Sequence, residues 1–205
     1  MKNKKDQDTE QKILQAANRV FLKKGYEGAR MQEIANEAGI NKALLHYYFR
    51  SKEKLFDRIF REAFSNFWPS IEKVTKGGNA EIKELIEAAV NGYMDILEDK
   101  PFLPAFIVGE INRSPERIKD LLLSTGLQPE KVLKIVQDAI DAGEIVEMDP
   151  RELIVNIVSL SIFPFIGRPL LSSMFWESTE EFDLFLKDRR KTVYEFICRS
   201  IMKRT

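Results

Sequence analysis

An all-α fold of about nine helices is predicted by three features of this 205-residue sequence. Apolar side chains recur three and four residues apart through almost every ordered stretch, the spacing that gathers them on one helix face. Glycine and proline punctuate these stretches at helix-length intervals. No convincing run alternates apolar and polar residues as a half-buried strand would, and no segment repeats with a period of about 20–50 residues.

The first helix is predicted over Thr9 to Lys24, where Ile13, Ala17, Val20 and Phe21 share a face; Thr9 is placed to cap it and Gly25 to stop it. Arg30 to Ala38 forms a short second helix with Met31, Ile34, Ala35 and Ala38 inward, ended by Gly39. Asn41 caps a third, Lys42 to about Phe49, whose Leu44 and Leu45 point to the core. Ser51-Lys52-Glu53-Lys54 resembles a capping box whose acid comes one residue early. A long striped helix follows through Leu55, Phe56, Ile59, Phe60, Ala63, Phe64 and Phe67, with Pro69 expected to kink or interrupt it. Gly77-Gly78-Asn79 is a break, and further helices are expected at about 80–98, 101–111, 115–123, 129–142, 150–166 and 178–203.

Composition narrows the function. A hydrophobic share of 44% is enough for a real core. The longest apolar stretch, Leu153 to Phe165, is interrupted by Asn156, Ser159, Ser161 and Pro164 and falls short of the roughly 20 residues of a membrane span. The polar start, Met1-Lys2-Asn3-Lys4-Lys5, carries no apolar segment of a secretory signal, and a cytoplasmic protein is expected. The single cysteine, Cys198, excludes an internal disulfide framework and a multi-cysteine zinc site; no metal or cofactor is expected. The net charge is zero, yet residues 1–54 hold twelve Lys and Arg against seven Asp and Glu, a charge of +5 balanced by −5 over residues 55–205. That asymmetry is either a chance fluctuation or a basic end built to meet a polyanion.

The two short helices joined by Glu37-Ala38-Gly39-Ile40-Asn41 make a helix-turn-helix. Gly39 supplies the backbone freedom of the turn and Ile40 buries the junction. The helix from Asn41 is then the one to enter a major groove. Lys42, His46, Tyr47, Arg50 and Lys52 offer donors to phosphates or base edges, and Ala43 permits close approach. Taken singly, Lys42 and Lys52 are equally ordinary solvated charges, His46 a bystander, and Tyr48 and Phe49 part of the core.

Gly25-Tyr26, Met31-Gln32-Glu33-Ile34-Ala35 and the run from Ala38 through His46-Tyr47-Tyr48-Phe49-Arg50-Ser51-Lys52-Glu53-Lys54 to Leu55 together resemble the headpiece of tetracycline-repressor-like (TetR) regulators, over about the first quarter of the chain. The resemblance implies a three-helix headpiece at 1–54 on a helical ligand-sensing and dimerisation body at 55–205, a homodimer on double-stranded DNA, and repression relieved by a small molecule. The positions matching the family's DNA contacts are Arg30, Gln32, Asn41, Lys42, Ala43, His46, Tyr47, Tyr48 and Lys52. Two departures bear on the operator sequence. Ala29-Arg30 replaces the family's usual Thr or Ser pair, and His46-Tyr47-Tyr48 permutes the more frequent order.

For the body, aromatic residues are read either as plain core or as walls of an apolar ligand cavity. The candidates for a mainly apolar effector are Phe64, Phe67, Trp68, Tyr93, Phe106 and Phe163, with Asn156 as a polar anchor; Glu110 is read as a surface acid. Ile154, Ile157, Val158, Phe182, Phe185, Val193, Phe196 and Ile197 are candidates for a four-helix dimer contact, shared in unknown proportion with the protomer's own core. An enzyme is disfavoured, since no phosphate loop appears, no His/Glu spacing suits a metal, and the one His and one Cys lie far apart. A helical scaffold for protein partners remains the other alternative.

Overall fold

The computed structural model describes residues 4–65, 67–75 and 81–203. Among them the regular elements are twelve helices: α1 (Lys4–Gly28), α2 (Met31–Glu37), α3 (Lys42–Tyr48), α4 (Lys52–Ala63), α5 (Phe67–Thr75), α6 (Ile82–Asp99), α7 (Leu103–Arg113), α8 (Pro115–Leu123), α9 (Pro129–Asp141), α10 (Pro150–Ile166), α11 (Arg168–Phe175) and α12 (Thr179–Ile201). One isolated bridge pairs Ile145 with Met202. The all-α expectation holds, with a few more helices than the nine expected. The break expected at Gly77-Gly78-Asn79 lies outside the described residues.

The elements differ from expectation where local signals compete. α1 begins at Lys4, so Thr9 lies inside it rather than at its cap. Gly25 does leave the helical path (φ 66°, ψ 174°), an excursion that only glycine makes freely. The long helix expected from Ser51 through Phe67 is divided: α4 ends at Ala63 and α5 starts at Phe67. Pro69 thereby becomes the third residue of a new helix, where its missing N–H costs nothing because first-turn donors have no helical partner anyway. Gly167 and Pro169 open the extra helix α11 instead of marking only a loop.

The chain divides into two compact units, α1–α4 with α7 and α8, and α5 and α6 with α9–α12. The first is built on aromatic residues. Phe21 of α1 and Phe56 of α4 are fully buried, with ring centroids 5.6 Å apart. Phe106 of α7 stacks on Phe56 at 3.7 Å and meets Tyr26 edge-on at 4.5 Å. Beside these rings Arg117 of α8 bridges two buried carboxylates, reaching Asp57 of α4 at 2.6 Å and Glu110 of α7 at 2.7 Å. The reading of Glu110 as a surface acid is therefore corrected. Its helix turns it toward α8, and Arg117 and Arg113 satisfy the carboxylate there.

In the second unit α6 packs against α5, α9, α10 and α12. Gly92 of α6 lets the Phe67 ring come so close that a Cβ there would lie 2.5 Å from its Cδ2. The buried stripe of α10 is Leu153, Ile157, Ser161 and Pro164, and that of α12 is Phe182, Leu186, Val193, Ile197 and Ile201. The stripe of α12 passes between Arg189 and Arg190. Arg190 reaches α6, pairing with Asp95 at 2.7 Å and Glu98 at 2.9 Å. Arg189 reaches α10 and donates to the Leu160 carbonyl at 2.8 Å.

Candidate nucleic-acid interface

The helix-turn-helix is built by local capping. Gly39 sits at φ 66°, and the turn closes with Gly39 N–H to Asn36 C=O at 3.1 Å and Ile40 N–H to Ala35 C=O at 3.0 Å. These two bonds form the motif that ends a helix through a left-handed glycine. Asn41 then caps α3, its side-chain oxygen accepting from Leu44 N–H at 2.7 Å. Ser51 caps α4 through Lys54 N–H at 3.3 Å. At the start of α2 the hydroxyl cap absent from Ala29-Arg30 is replaced from the other side: the Glu33 carboxylate accepts from the Arg30 N–H at 3.3 Å. Lys24 donates to the same carboxylate at 2.6 Å, and this bond above all holds its pKa below the ordinary value.

α3 is pinned by Leu45, which is fully buried, and by Phe49 just beyond its end. Asn41, Lys42, Ala43, His46 and Tyr47 are exposed, and Tyr47, at 79%, is the most exposed large hydrophobic residue among those described. Leu44, expected in the core, is also exposed; it stands about 100° round the helix from Leu45, which alone of the pair is buried. His46 Nδ1 donates to the Arg50 carbonyl at 3.2 Å, since a carbonyl can only accept, and Nε2 is left facing outward from that bond. Arg30 and Gln32 are exposed at the start of α2, with Gln32 donating to Asn36 at 2.9 Å.

Two of the nine expected contact residues, Tyr48 and Lys52, are bonded to residues that precede the helix-turn-helix. Tyr48 is half-buried, donates from its hydroxyl to Asp6 at 3.0 Å and has its pKa raised by desolvation and by that carboxylate. Lys52 Nζ donates to the carbonyls of Tyr26 at 2.8 Å and Ala29 at 3.3 Å and sits 4.3 Å from the Tyr26 ring centroid. Lys52 ties the start of α4 to the end of α1. Burial, with the Glu53 carboxylate adding to it, pushes the Tyr26 phenol well above its usual range.

The residues expected to line an effector cavity fall in both units. Phe67, Trp68 and Tyr93 cluster in the second, with Phe67 4.4 Å from Trp68 and 4.8 Å from Tyr93; burial raises the Tyr93 phenol to about 12. Phe64 and Phe106 belong to the first unit, where Phe64 stacks on Phe60 at 4.7 Å. Asn156 and Phe163 stand exposed on α10. Arg189, which the sequence reading did not single out, is the basic group set among the aromatic residues of α12, with its guanidinium 5.6 Å from the Phe185 ring. Among the described residues no three His, Cys, Asp or Glu side chains gather as metal ligands, and no single helix is long and apolar enough to cross a membrane.

Comparison with known proteins agrees with this geometry. The family of bacterial regulatory proteins known as the tetR family matches residues 13–59, spanning the end-to-end headpiece from the core of α1 into α4. The probable HTH-type transcriptional regulator YttP of Bacillus subtilis is 25% identical over 178 residues, 84% of this chain and 84% of its own length. HlyIIR, a hemolysin II transcriptional regulator, shares the fold across 97% of this chain and 99% of its own, with a TM-score of 0.67 at 22% identity. The transcriptional regulator FadR from Bacillus subtilis, solved in complex with stearoyl-CoA, shares it over 91% of this chain and 96% of its own, with a TM-score of 0.67 at 21% identity. With its turn closed at Gly39 and its third helix capped by Asn41, the segment 13–59 is a headpiece of the tetR type, and the chain as a whole shares the fold of HlyIIR and FadR.

Proposed function

We propose that the protein is a dimeric repressor that places α3 in the major groove of each half of a near-palindromic operator and leaves the DNA when a small molecule binds its body. The observation that carries the DNA reading is the division of α3 into a buried anchor, Leu45, and an exposed face of Lys42, Ala43, His46 and Tyr47. Lys42 neutralises phosphate, Tyr47 and His46 reach phosphates or base edges, and Ala43 lets the backbone approach. Arg30, Gln32 and Asn41 extend the contact at the helix starts. Tyr48 and Lys52 contribute by holding α1, α3 and α4 in register, since their polar ends are already bonded to Asp6 and to two carbonyls.

The dimer reading is supported by α10 and α12, which leave Val155, Phe163, Leu184 and Phe196 each about 60% exposed. Gathered on two helices, apolar exposure of this kind suits an association surface. Ile157, Phe182, Val193 and Ile197, also candidates for that contact, are buried in the protomer itself. The effector reading is supported by FadR, a transcriptional regulator of the same fold solved in complex with stearoyl-CoA, and by the aromatic cluster of Phe67, Trp68 and Tyr93. An effector that favours the non-DNA-binding arrangement by about 1–3 kcal/mol weakens operator affinity roughly 5–150-fold.

The test is selection of bound sequences from random duplexes, followed by gel-shift titration across salt concentrations. A palindromic consensus with half-sites about one helical turn apart and a steep salt slope is expected. Absence of any sequence-selective, salt-sensitive binding would sink the reading.

A further inference from the structure

Among the described residues of the second unit, two buried polar groups find no partner in the chain. Ser161 lies in the buried stripe of α10, fully inaccessible, and its hydroxyl has no hydrogen-bond partner. Arg189 of α12 bonds the carbonyl of the adjacent residue, Leu160, through Nη2, which brings its guanidinium to the same turn of α10. Its Nε is buried without a partner. A guanidinium presents five N–H donors in a planar fork, and buried guanidinium groups are normally matched by a carboxylate or phosphate. Arg190 obeys that rule with two carboxylates. Arg189 has no acidic group acting on it: burial alone depresses its pKa. Its surroundings are aromatic, with Phe185 one helical turn away under the guanidinium and Trp176 4.6 Å from the Phe185 ring.

We propose that Arg189 and Ser161 form the recognition point for a carboxylate, and that the effector of this regulator is a carboxylic acid carrying an apolar body. Arg189 offers Nε and a further N–H to the two carboxylate oxygens, and the Ser161 hydroxyl supplies another donor. The apolar remainder lies along the Phe185 and Trp176 rings. This assigns an anionic head to an effector for which aromatic walls alone suggest a neutral one, and it rests on the reading of the protein as ligand-responsive.

The test uses the full-length protein at neutral pH with matched probes: decanoate and 4-phenylbutyrate against decanamide and 4-phenylbutyramide. Thermal shift and release of the selected operator are the readouts. A carboxylate should raise the melting temperature and weaken operator binding, while its amide does neither at the same concentration. Ser161→Ala should weaken the carboxylate response several-fold and Arg189→Gln at least tenfold. Ser161→Ala carries the test if Arg189→Gln does not fold. Equal responses to acid and amide, or acid responses unchanged in both variants, overturn the proposal. If neutral compounds release the DNA and carboxylates do not, the effector reading stands and the carboxylate assignment falls; if nothing shifts melting or release, both fall. Light scattering separates a second source of carboxylate. A wild-type dimer insensitive to the acids, whose mass drops in Arg189→Gln, places an acidic side chain of a second copy on Arg189 and overturns the effector assignment.

Discussion

Arg189 donates to the carbonyl of Leu160 across 2.8 Å, and that carbonyl is available because of its own helix. In α10 the C=O of Leu160 would ordinarily accept from the N–H four residues on, but that residue is Pro164, which has none. The arginine therefore replaces a backbone bond that the proline removes, and α10 continues to Ile166. Two residues 29 apart in sequence thus form a single structural device.

That device predicts coupling. Arg189→Met should cost about 1.5–3 kcal/mol, the range for a hydrogen bond to a charged group. In a Pro164→Ala background the Leu160 carbonyl regains a helical donor, and the same change should cost at least about 1 kcal/mol less. Urea unfolding of the four proteins in the cycle measures the difference. Strict additivity would show that the bond across the helices carries no energy.

On the DNA face, capping and contact are separable at one position. Asn41→Ala removes the acceptor for Leu44 N–H and should cost about 0.5–2 kcal/mol of stability. Asn41→Asp keeps an acceptor and should leave stability near wild type, yet it sets a negative charge at the groove and should weaken operator binding. Thermal melts and gel shifts on both variants check the pair. Equal DNA affinity for Asn41→Asp and wild type would remove α3's N-terminus from the interface.

Lys42 and Lys52 should behave oppositely. Lys42→Ala should weaken operator binding with little change in melting and reduce the salt slope by about one. Lys52→Met leaves the Tyr26 and Ala29 carbonyls without their donor and should lower the melting temperature. The sequence alone presents both as basic side chains beside the recognition helix. What distinguishes them is the end of α1, 26 residues before Lys52 and invisible to local reading.

That contrast shows what the sequence makes legible. The caps Asn41 and Ser51 and the glycine turn at Gly39 were readable because each involves residues three to five apart. The stripe Ile13, Ala17, Val20 and Phe21 was readable because a long helix samples its face several times. Leu44 was misplaced because α3 offers fewer than two full turns of pattern. Glu110 was misplaced because the arginine that meets it in the interior, Arg117, lies on another helix, and Arg189 went unnoticed because only packing shows which arginine lacks a carboxylate. The apolar residues of α10 and α12 could be listed from sequence, but only the fold separates buried Ile157 and Val193 from exposed Val155 and Phe196.

The cap of α2 predicts an acid dependence. Glu33 is held below its ordinary value of 4.5 by the Lys24 hydrogen bond, with the Arg30 N–H adding to it. A group depressed in the folded state contributes stability that is complete above its unfolded pKa and is lost as pH falls through the folded one. Glu33→Gln should therefore reduce the drop in melting temperature between neutral pH and about pH 3. An unchanged acid limb would show that this carboxylate adds nothing to the headpiece.

Phe67 and Gly92 predict a steric limit. A methyl group at residue 92 would meet the ring at 2.5 and 2.8 Å, and the ring, itself 4% exposed, has neighbours to displace before it can yield. Gly92→Ala should destabilise by about 1–3 kcal/mol, the range for overpacking. Phe67→Leu should recover part of that loss in the double variant, since the clash is with the ring edge. If Gly92→Ala is neutral to urea, the contact between α5 and α6 is looser than its geometry implies.

The Arg117 bridge makes the strongest stability prediction. Asp57 and Glu110 are both buried and both point at one guanidinium, with the Phe106 ring 5.6 Å from it. Removing the arginine leaves two carboxylates together in a poorly solvated site. Arg117→Met should therefore cost about 3–5 kcal/mol, the range for stripping one partner from a buried ion pair. Neutralising the site as a whole is a different experiment. In Asp57→Asn, Glu110→Gln, Arg117→Met the two buried acids and their bridging arginine are all neutral; Arg113, which also reaches Glu110, is exposed and keeps its pair with Glu27, and the amides can bond to each other or to water at the edge of the site. The triple variant should lose less stability than Arg117→Met alone, although it carries more substitutions. The ordering decides between two accounts of the network. If the triple variant is the least stable, the mutual attraction of the charges is what secures α7 and α8 against α4. If Arg117→Met is the least stable, the arginine's role is to neutralise acids that the fold has already buried, and the aromatic contacts of Phe106 with Phe56 and Tyr26 secure those helices.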